Sequence, residues 1–136
     1  LSIPENIVAD LRAAARAHAP LETCGLLAGA EQRVTKFYPL TNADASPEHF
    51  SMLPAEQFAA IKDMRKNGTR MLAIWHSHPA SPARMSVEDL RLALTPDVAY
   101  VITSLAVPEA VALRAFVVRD GTPDEIELTI IKSTGA

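Results

Sequence analysis

The chain has 136 residues, 49% hydrophobic and 21% charged, with a net charge of −3. That length suits one domain over residues 1–136 with a core of its own, and the lack of a basic excess leaves nucleic-acid and anionic-membrane partners without electrostatic support. A single cysteine, Cys24, no apolar run of about 18 residues and no basic n-region before Ala9 together predict a cytoplasmic protein without disulfides, membrane spans or a signal peptide.

Ser2 and Glu5 are spaced as a capping box with Pro4 in a first helical turn, and Ile7, Val8, Leu11, Ala14 and Ala15 recur at helical period. They predict a helix over residues 4–17 that Pro20 ends. Cys24 to Ala28, between Gly25 and Gly29, reads as a buried strand, and Val34 to Leu40 pairs with it as a hairpin. Residues 41–47 form a loop by composition, and a short strand is expected from His49 to Met52. Pro54 to Lys66 reads as a helix with Phe58, Ile61 and Met64 on one side, closed by Asn67-Gly68. Met71 to Trp75 is a strand running into His76-Ser77-His78-Pro79, and Ser86 opens a helix to about Leu94. Three further strands follow, over residues 99–105, 112–118 and 125–131. The pattern predicts an α/β or α+β domain with a mixed, largely antiparallel sheet flanked by helices.

The chemistry concentrates in two short segments. Residues two apart on a strand share a face, so His76 and His78 aim both imidazoles at one point beyond the strand end. Asp89 follows His78 by eleven residues, in the first turn of the next helix. Two histidines and a carboxylate form a three-ligand zinc set with a fourth position for water, whose pKa zinc lowers to about 7. Each half also has a plain structural reading. Histidines at strand ends are commonly surface or core residues, and Ser86-x-x-Asp89 is by itself a helix capping box. Trp75 reads as core, Ser77 as facing away from the imidazoles, and His18 and His49 as structural or surface residues. Cys24, inside an apolar strand, reads as a buried structural thiol.

His76-Ser77-His78-Pro79, six further residues and Ser86-x-x-Asp89 resemble, without gap, the motif of the JAMM (JAB1/MPN/Mov34) metalloproteases. The segment Pro20-Leu21-Glu22-Thr23-Cys24-Gly25-Leu26-Leu27-Ala28-Gly29 is similar to the first strand of that family. The likeness continues through Pro54-Ala55-Glu56-Gln57 and Tyr100-Val101-Ile102-Thr103-Ser104-Leu105. The resemblance implies a JAB1/MPN-type fold, related to that of cytidine deaminases, with one Zn2+ per chain held by His76, His78 and Asp89. It further implies Glu22 as general base and Ser86 as the donor to the tetrahedral oxyanion. Glu22 on its own reads as a loop carboxylate; its role comes from the resemblance alone.

The segment from Pro79 to Ser86 looks like the small prokaryotic members, apart from Met85, where Pro is expected. That likeness implies a zinc metallopeptidase or isopeptidase cutting the amide after the C-terminal Gly-Gly of a ubiquitin-like, β-grasp sulfur carrier or its conjugate. A non-catalytic module that holds a ubiquitin-like tail is the alternative. A zinc deaminase is disfavoured, because the Pro-Cys-x-x-Cys of that chemistry needs two cysteines.

Overall fold

Apolar side chains at Ile7, Leu11 and Ala15 fall four residues apart and bury one stripe of the first helix against the sheet. The computed structural model describes residues 1–95 and 97–133. In chain order these form β1 (Ser2–Pro4), α1 (Glu5–His18), β2 (Cys24–Ala30), β3 (Arg33–Leu40) and α2 (Pro54–Lys66). Then come β4 (Arg70–His78), α3 (Val87–Leu92), β5 (Ala99–Ser104), a 3-10 turn (Glu109–Val111), β6 (Leu113–Arg119), β7 (Thr122–Ile126) and β8 (Thr129–Ile131). The strands make one sheet in the order β7-β6-β5-β4-β2-β3-β1-β8.

The sheet is mixed, as the pattern predicts. The pairs β2–β3, β2–β4, β5–β6 and β6–β7 are antiparallel, whereas β4–β5, β1–β3 and β1–β8 are parallel. Alternation along β2, β4 and β5 divides the core. Leu27, Ala73, Trp75 and Val101 face α1, and Leu26, Ala28 and Ile74 face Ala60 and Met64 of α2. Gly25 permits the close approach of β3, since a Cβ there would lie 2.5 Å from both the Phe37 ring and the Tyr38 carbonyl oxygen.

Several expectations need correction. Ser2 lies in β1 and not in a capping box, and Pro4 caps α1 with an extended backbone and no side-chain hydrogen bond. The expected strand at His49–Met52 reduces to a single bridge between Asn42 and Met52. In α2 the inward residues are Ala60 and Met64 while Phe58 is 70% exposed, because the small Ala60 lets the helix settle against Leu26 and Ala28. The last expected strand is two, β7 and β8, and α3 stops at Leu92.

Candidate metal centre and its cleft

The site forms where β4 ends, on the face of the sheet that carries α2 and α3. His76 and His78 are 1% and 3% exposed, and their shared face brings the two Nε2 atoms within 3.0 Å of each other. The chain turns at Pro79 and returns through Ser86, the N-cap of α3. Ser86 Oγ accepts from the Asp89 amide, and the Ser86 amide donates to Asp89 Oδ2, each at 3.0 Å. This reciprocal box fixes the first turn and aims the Asp89 carboxylate inward. Asp89 Oδ1 then lies 3.2 Å from His76 Nε2, and Oδ2 lies 3.0 Å from His78 Nε2. Capping and site-building are the same interaction.

These donors fit a divalent cation. His78 Nδ1 sits 2.8 Å from the Pro82 carbonyl oxygen, which can only accept, so Nδ1 carries hydrogen and the neutral ring turns its lone pair at Nε2 toward the cluster. His76 Nδ1 is buried without a partner, and burial holds the His76 pKa below normal, in the neutral form that a metal requires. Two imidazole nitrogens and a carboxylate thus converge with few hydrogens between them. The ligand atoms of His76, His78 and Asp89 all lie within 4.8 Å of one another. Without a metal, a proton partly fills that role. Burial opposes charge on His78, but the Asp89 carboxylate and the Pro82 carbonyl outweigh it and raise the His78 pKa. Burial likewise works against the Asp89 carboxylate, yet hydrogen bonds from the two imidazoles hold it well below the usual carboxylate range. Phe50 stacks on His76 with centroids 4.9 Å apart and closes that side to water.

Register brings Glu22 into this group. Cys24 pairs with His76 across β2 and β4. Extended backward, the same antiparallel register sets Thr23 against Ser77 and Glu22 against His78. Two hydrogen bonds hold this extension: the Ser77 amide to the Thr23 carbonyl at 2.9 Å, and the Thr23 amide to Ser77 Oγ at 2.8 Å. Glu22 is 4% exposed, and its buried Oε1 lacks a partner. Burial pushes its pKa up to about 8, with His78 pulling it down and Asp89 and Glu48 adding to the rise.

Glu22 and His78 line an open cleft of about 540 Å³ together with residues 47–49, 80–81 and 86–88. Ser86 Oγ already accepts from Asp89, so its own hydrogen is left to point at a ligand in the cleft. A cation site, a buried carboxyl of raised proton affinity and a hydroxyl donor around one cleft suit hydrolysis of a polarised carbonyl compound.

The motif also conceals its supports. Asn42 Nδ2 donates to the carbonyls of Glu22 (3.1 Å) and His49 (3.0 Å), while its Oδ1 accepts from the amides of Asp44 (3.0 Å) and Ser51 (3.2 Å). One side chain therefore clasps the cleft wall to the backbone of Glu22. The Asn42-x-Asp44 spacing is an Asx-turn signal visible in the sequence, though nothing in it points to Glu22. His49, expected as a structural or surface residue, lines the cleft and bonds Asp44 through Nδ1 at 2.9 Å. Trp75 is core as expected, with its Nε1 donating to Thr103 Oγ1 at 2.9 Å. His18 caps the end of α1 through a bond to the Ala14 carbonyl. Cys24 is fully buried, and burial pushes its thiol up to about 12, which removes it as a nucleophile.

Residues 4–118 match the family model described as prokaryotic homologs of the JAB domain. The chain is 34% identical over 134 residues to the CysO-cysteine peptidase of Mycobacterium tuberculosis, covering 97% of this chain and 92% of that protein. It is 33% identical over 132 residues to a probable TtuB-protein conjugate cleaving protease of Thermus thermophilus, covering 96% and 83% of the two. A Desulfitobacterium hafniense protein with a solution structure superposes with a TM-score of 0.89 at 45% identity, over 97% of this chain and 93% of that one. With its motif in place on the matching fold, the chain belongs to the prokaryotic JAB-domain family.

Proposed function

We propose that this protein is a cytoplasmic zinc metallopeptidase that hydrolyses the amide after the C-terminal Gly-Gly of a ubiquitin-like sulfur carrier or its conjugate. The observation that carries this reading is the convergence of His76, His78 and Asp89 beside the unpartnered Glu22 Oε1 in an open cleft. His76, His78 and Asp89 hold one Zn2+ per chain. When bound, zinc supplies Lewis acidity, polarising a carbonyl and making water acidic near neutral pH.

The chain's own residues do the rest. The Pro82 carbonyl accepts from His78 Nδ1 and so keeps His78 in the tautomer that offers Nε2, while Asp89, aimed by the Ser86 box, adds its carboxylate to the same set. Glu22 takes a proton from the attacking water and returns it to the departing amine. A carboxyl whose pKa lies near neutrality can do both, whereas a solvated one is too weak a base. Ser86 donates its hydroxyl hydrogen to the oxygen that gains charge as the carbonyl carbon becomes tetrahedral. The peptidase and conjugate-cleaving relatives support this reaction class. The lone buried thiol of Cys24 supports a reducing compartment. No helix among the described residues is long and apolar enough to cross a membrane.

The test measures zinc per chain after loading and desalting, then cleavage of Thermus thermophilus TtuB ending in Gly-Gly and joined to an amine. We expect one zinc in the native protein and none in His78→Ala. Glu22→Gln should keep its zinc and its affinity for the carrier while losing about 10²- to 10⁴-fold in rate. Equal zinc in native and His78→Ala, or zinc binding without turnover, would leave the non-catalytic tail-binding module as the better reading.

A further inference from the structure

The two relatives differ in what their names say they release, a single cysteine in one case and a protein in the other, at nearly equal identity to this chain. Overall similarity does not choose between such leaving groups. The charge of the cleft does.

The cleft that holds Glu22 and His78 is also lined by Glu48 and Glu88, and neither Lys nor Arg is part of its wall. Glu88 is bonded to Arg91 at 2.6 Å, and His49 is tied through Nδ1 to Asp44. Glu48 is exposed, lines the same cleft as Ser86, and has no ion-pair partner among the described residues. It is also close enough to add to the proton affinity of Glu22. Arg84, on the loop before α3, is exposed and is not part of the wall.

The leaving group decides which charges enter this space. In an amide to a single amino acid, a free carboxylate sits only two bonds from the scissile nitrogen. It must therefore enter the cleft whichever way the carrier tail runs, and it meets the Glu48 and Glu88 carboxylates with no Lys or Arg on the wall, and no cation besides the metal, to receive it. In an isopeptide to a lysine side chain the scissile nitrogen carries only methylenes, and no anion accompanies it. Hydrolysis adds one water across the amide, leaving the Gly-Gly carboxylate and an amine that takes up a proton. That nascent ammonium is drawn to Glu22 and Glu48.

We propose that the cleft selects amides with no free carboxylate beside the scissile nitrogen, the isopeptide bond to a lysine above all, and that Glu48 is the residue that sets this preference. The proposal rests on the hydrolase reading above and narrows it to a substrate class. Repulsion of like charges in a partly solvated cleft is worth about tenfold or more in kcat/KM, and discrimination by an unpaired charge shrinks as salt screens it.

The experiment uses the zinc-loaded full chain and TtuB ending in Gly-Gly in three forms. The tail is joined to cysteine, to cysteine carboxamide, or to the Nε of lysine in a capped neutral peptide. The first two differ only in the carboxylate. We expect the carboxamide and the isopeptide to be cut at least about tenfold faster than the free acid. Glu48→Gln should narrow that gap and Glu48→Lys should close or invert it, with the isopeptide still cleaved. Equal rates for acid and carboxamide overturn the proposal, as does a gap that Glu48→Gln and Glu48→Lys leave unchanged. If none of the three is cut by the zinc-loaded protein, the hydrolase reading itself falls and takes this inference with it.

Discussion

Replacing Ser77 by Ala should damage catalysis without touching the metal. Ser77 is fully buried between the two histidines, yet its side chain lies on the other face of β4, where Oγ accepts the Thr23 amide at 2.8 Å. Removing the hydroxyl leaves that amide buried and unpaired, because Thr23 is only 4% exposed and water has no ready access. An orphaned buried donor costs about 1–3 kcal/mol. At this chain length a loss near 2 kcal/mol lowers Tm by roughly 6–10 °C. The Thr23 amide is also the tether that holds Glu22 opposite His78, so the carboxyl should drift; displacement of a catalytic group by an ångström costs up to about 100-fold in rate. The expected result is one zinc per chain, KM close to native, kcat down about 10- to 100-fold, and the Tm loss present in chelator. Thermal scans with chelator separate the lost hydrogen bond from any change in metal linkage. If Ser77→Ala loses its zinc, or keeps both native Tm and native kcat, the bracing role assigned to Ser77 is wrong.

Asn42→Ala should remove four hydrogen bonds at once and free residues 42–51 from the backbone of Glu22. Faster amide exchange in that loop and a roughly tenfold or greater fall in kcat/KM, with zinc retained, are expected; unchanged exchange there would contradict the clasp. Gly25→Ala should cost about 1–3 kcal/mol or more by overpacking, since the new methyl meets the Tyr38 backbone, which cannot step aside; a variant with native Tm would count against the tight β2–β3 contact. The metal-free protein should lose stability as pH rises from about 4.5 to about 8. In that window the unfolded chain has released the Glu22 proton while the native state still holds it, so the native state binds more protons and unfolding becomes easier. The raised pKa of His78 acts with the same sign, its contribution being lost as pH rises through its folded value. His76, held neutral by burial, works in the opposite sense until the pH passes its ordinary value of 6.5, so urea midpoints should slope downward most clearly above about pH 6.5, and Glu22→Gln should flatten most of that slope.

How much of this could be read from the sequence depended on whether the signal was local. The bounds of α2, Pro54 to Lys66, follow from a proline at its start and Asn67-Gly68 at its end, all within one segment. The alternation of His76, Ser77 and His78 and the capping geometry of Ser86 and Asp89 are local too, and three of the grouped side chains were legible for that reason. β1 is three residues long and exists only because β8 and β3 flank it, with β8 coming from the far end of the chain. Nothing near Ser2 announces it. The β6–β7 turn, with Asp120 and Gly121 both at positive φ, carried a strong hairpin signal that placing the last strand at residue 125 overlooked. Glu22 is the instructive case. Its place beside His78 follows from the β2–β4 register, but that pairing joins segments about fifty residues apart, so only the family resemblance could supply it in advance.

The faces of β4 divide the work between chemistry and support. His76 and His78 point toward Asp89, while Trp75 and Ser77 point toward the layer beneath α1, where each makes a hydrogen bond to a neighbouring strand. Trp75 reaches β5 through Thr103, and Ser77 reaches the residues leading into β2 through Thr23. The strand that presents both imidazoles is thereby fixed on both sides by bonds that never enter the cleft. A metal site assembled from a strand end and a helix start needs this, because the two imidazole Nε2 atoms, 3.0 Å apart beside a buried carboxylate, crowd lone pairs that only a shared proton or a cation relieves. The fold holds the ligands together against that crowding, and the restraint it supplies is order the metal does not have to impose on binding.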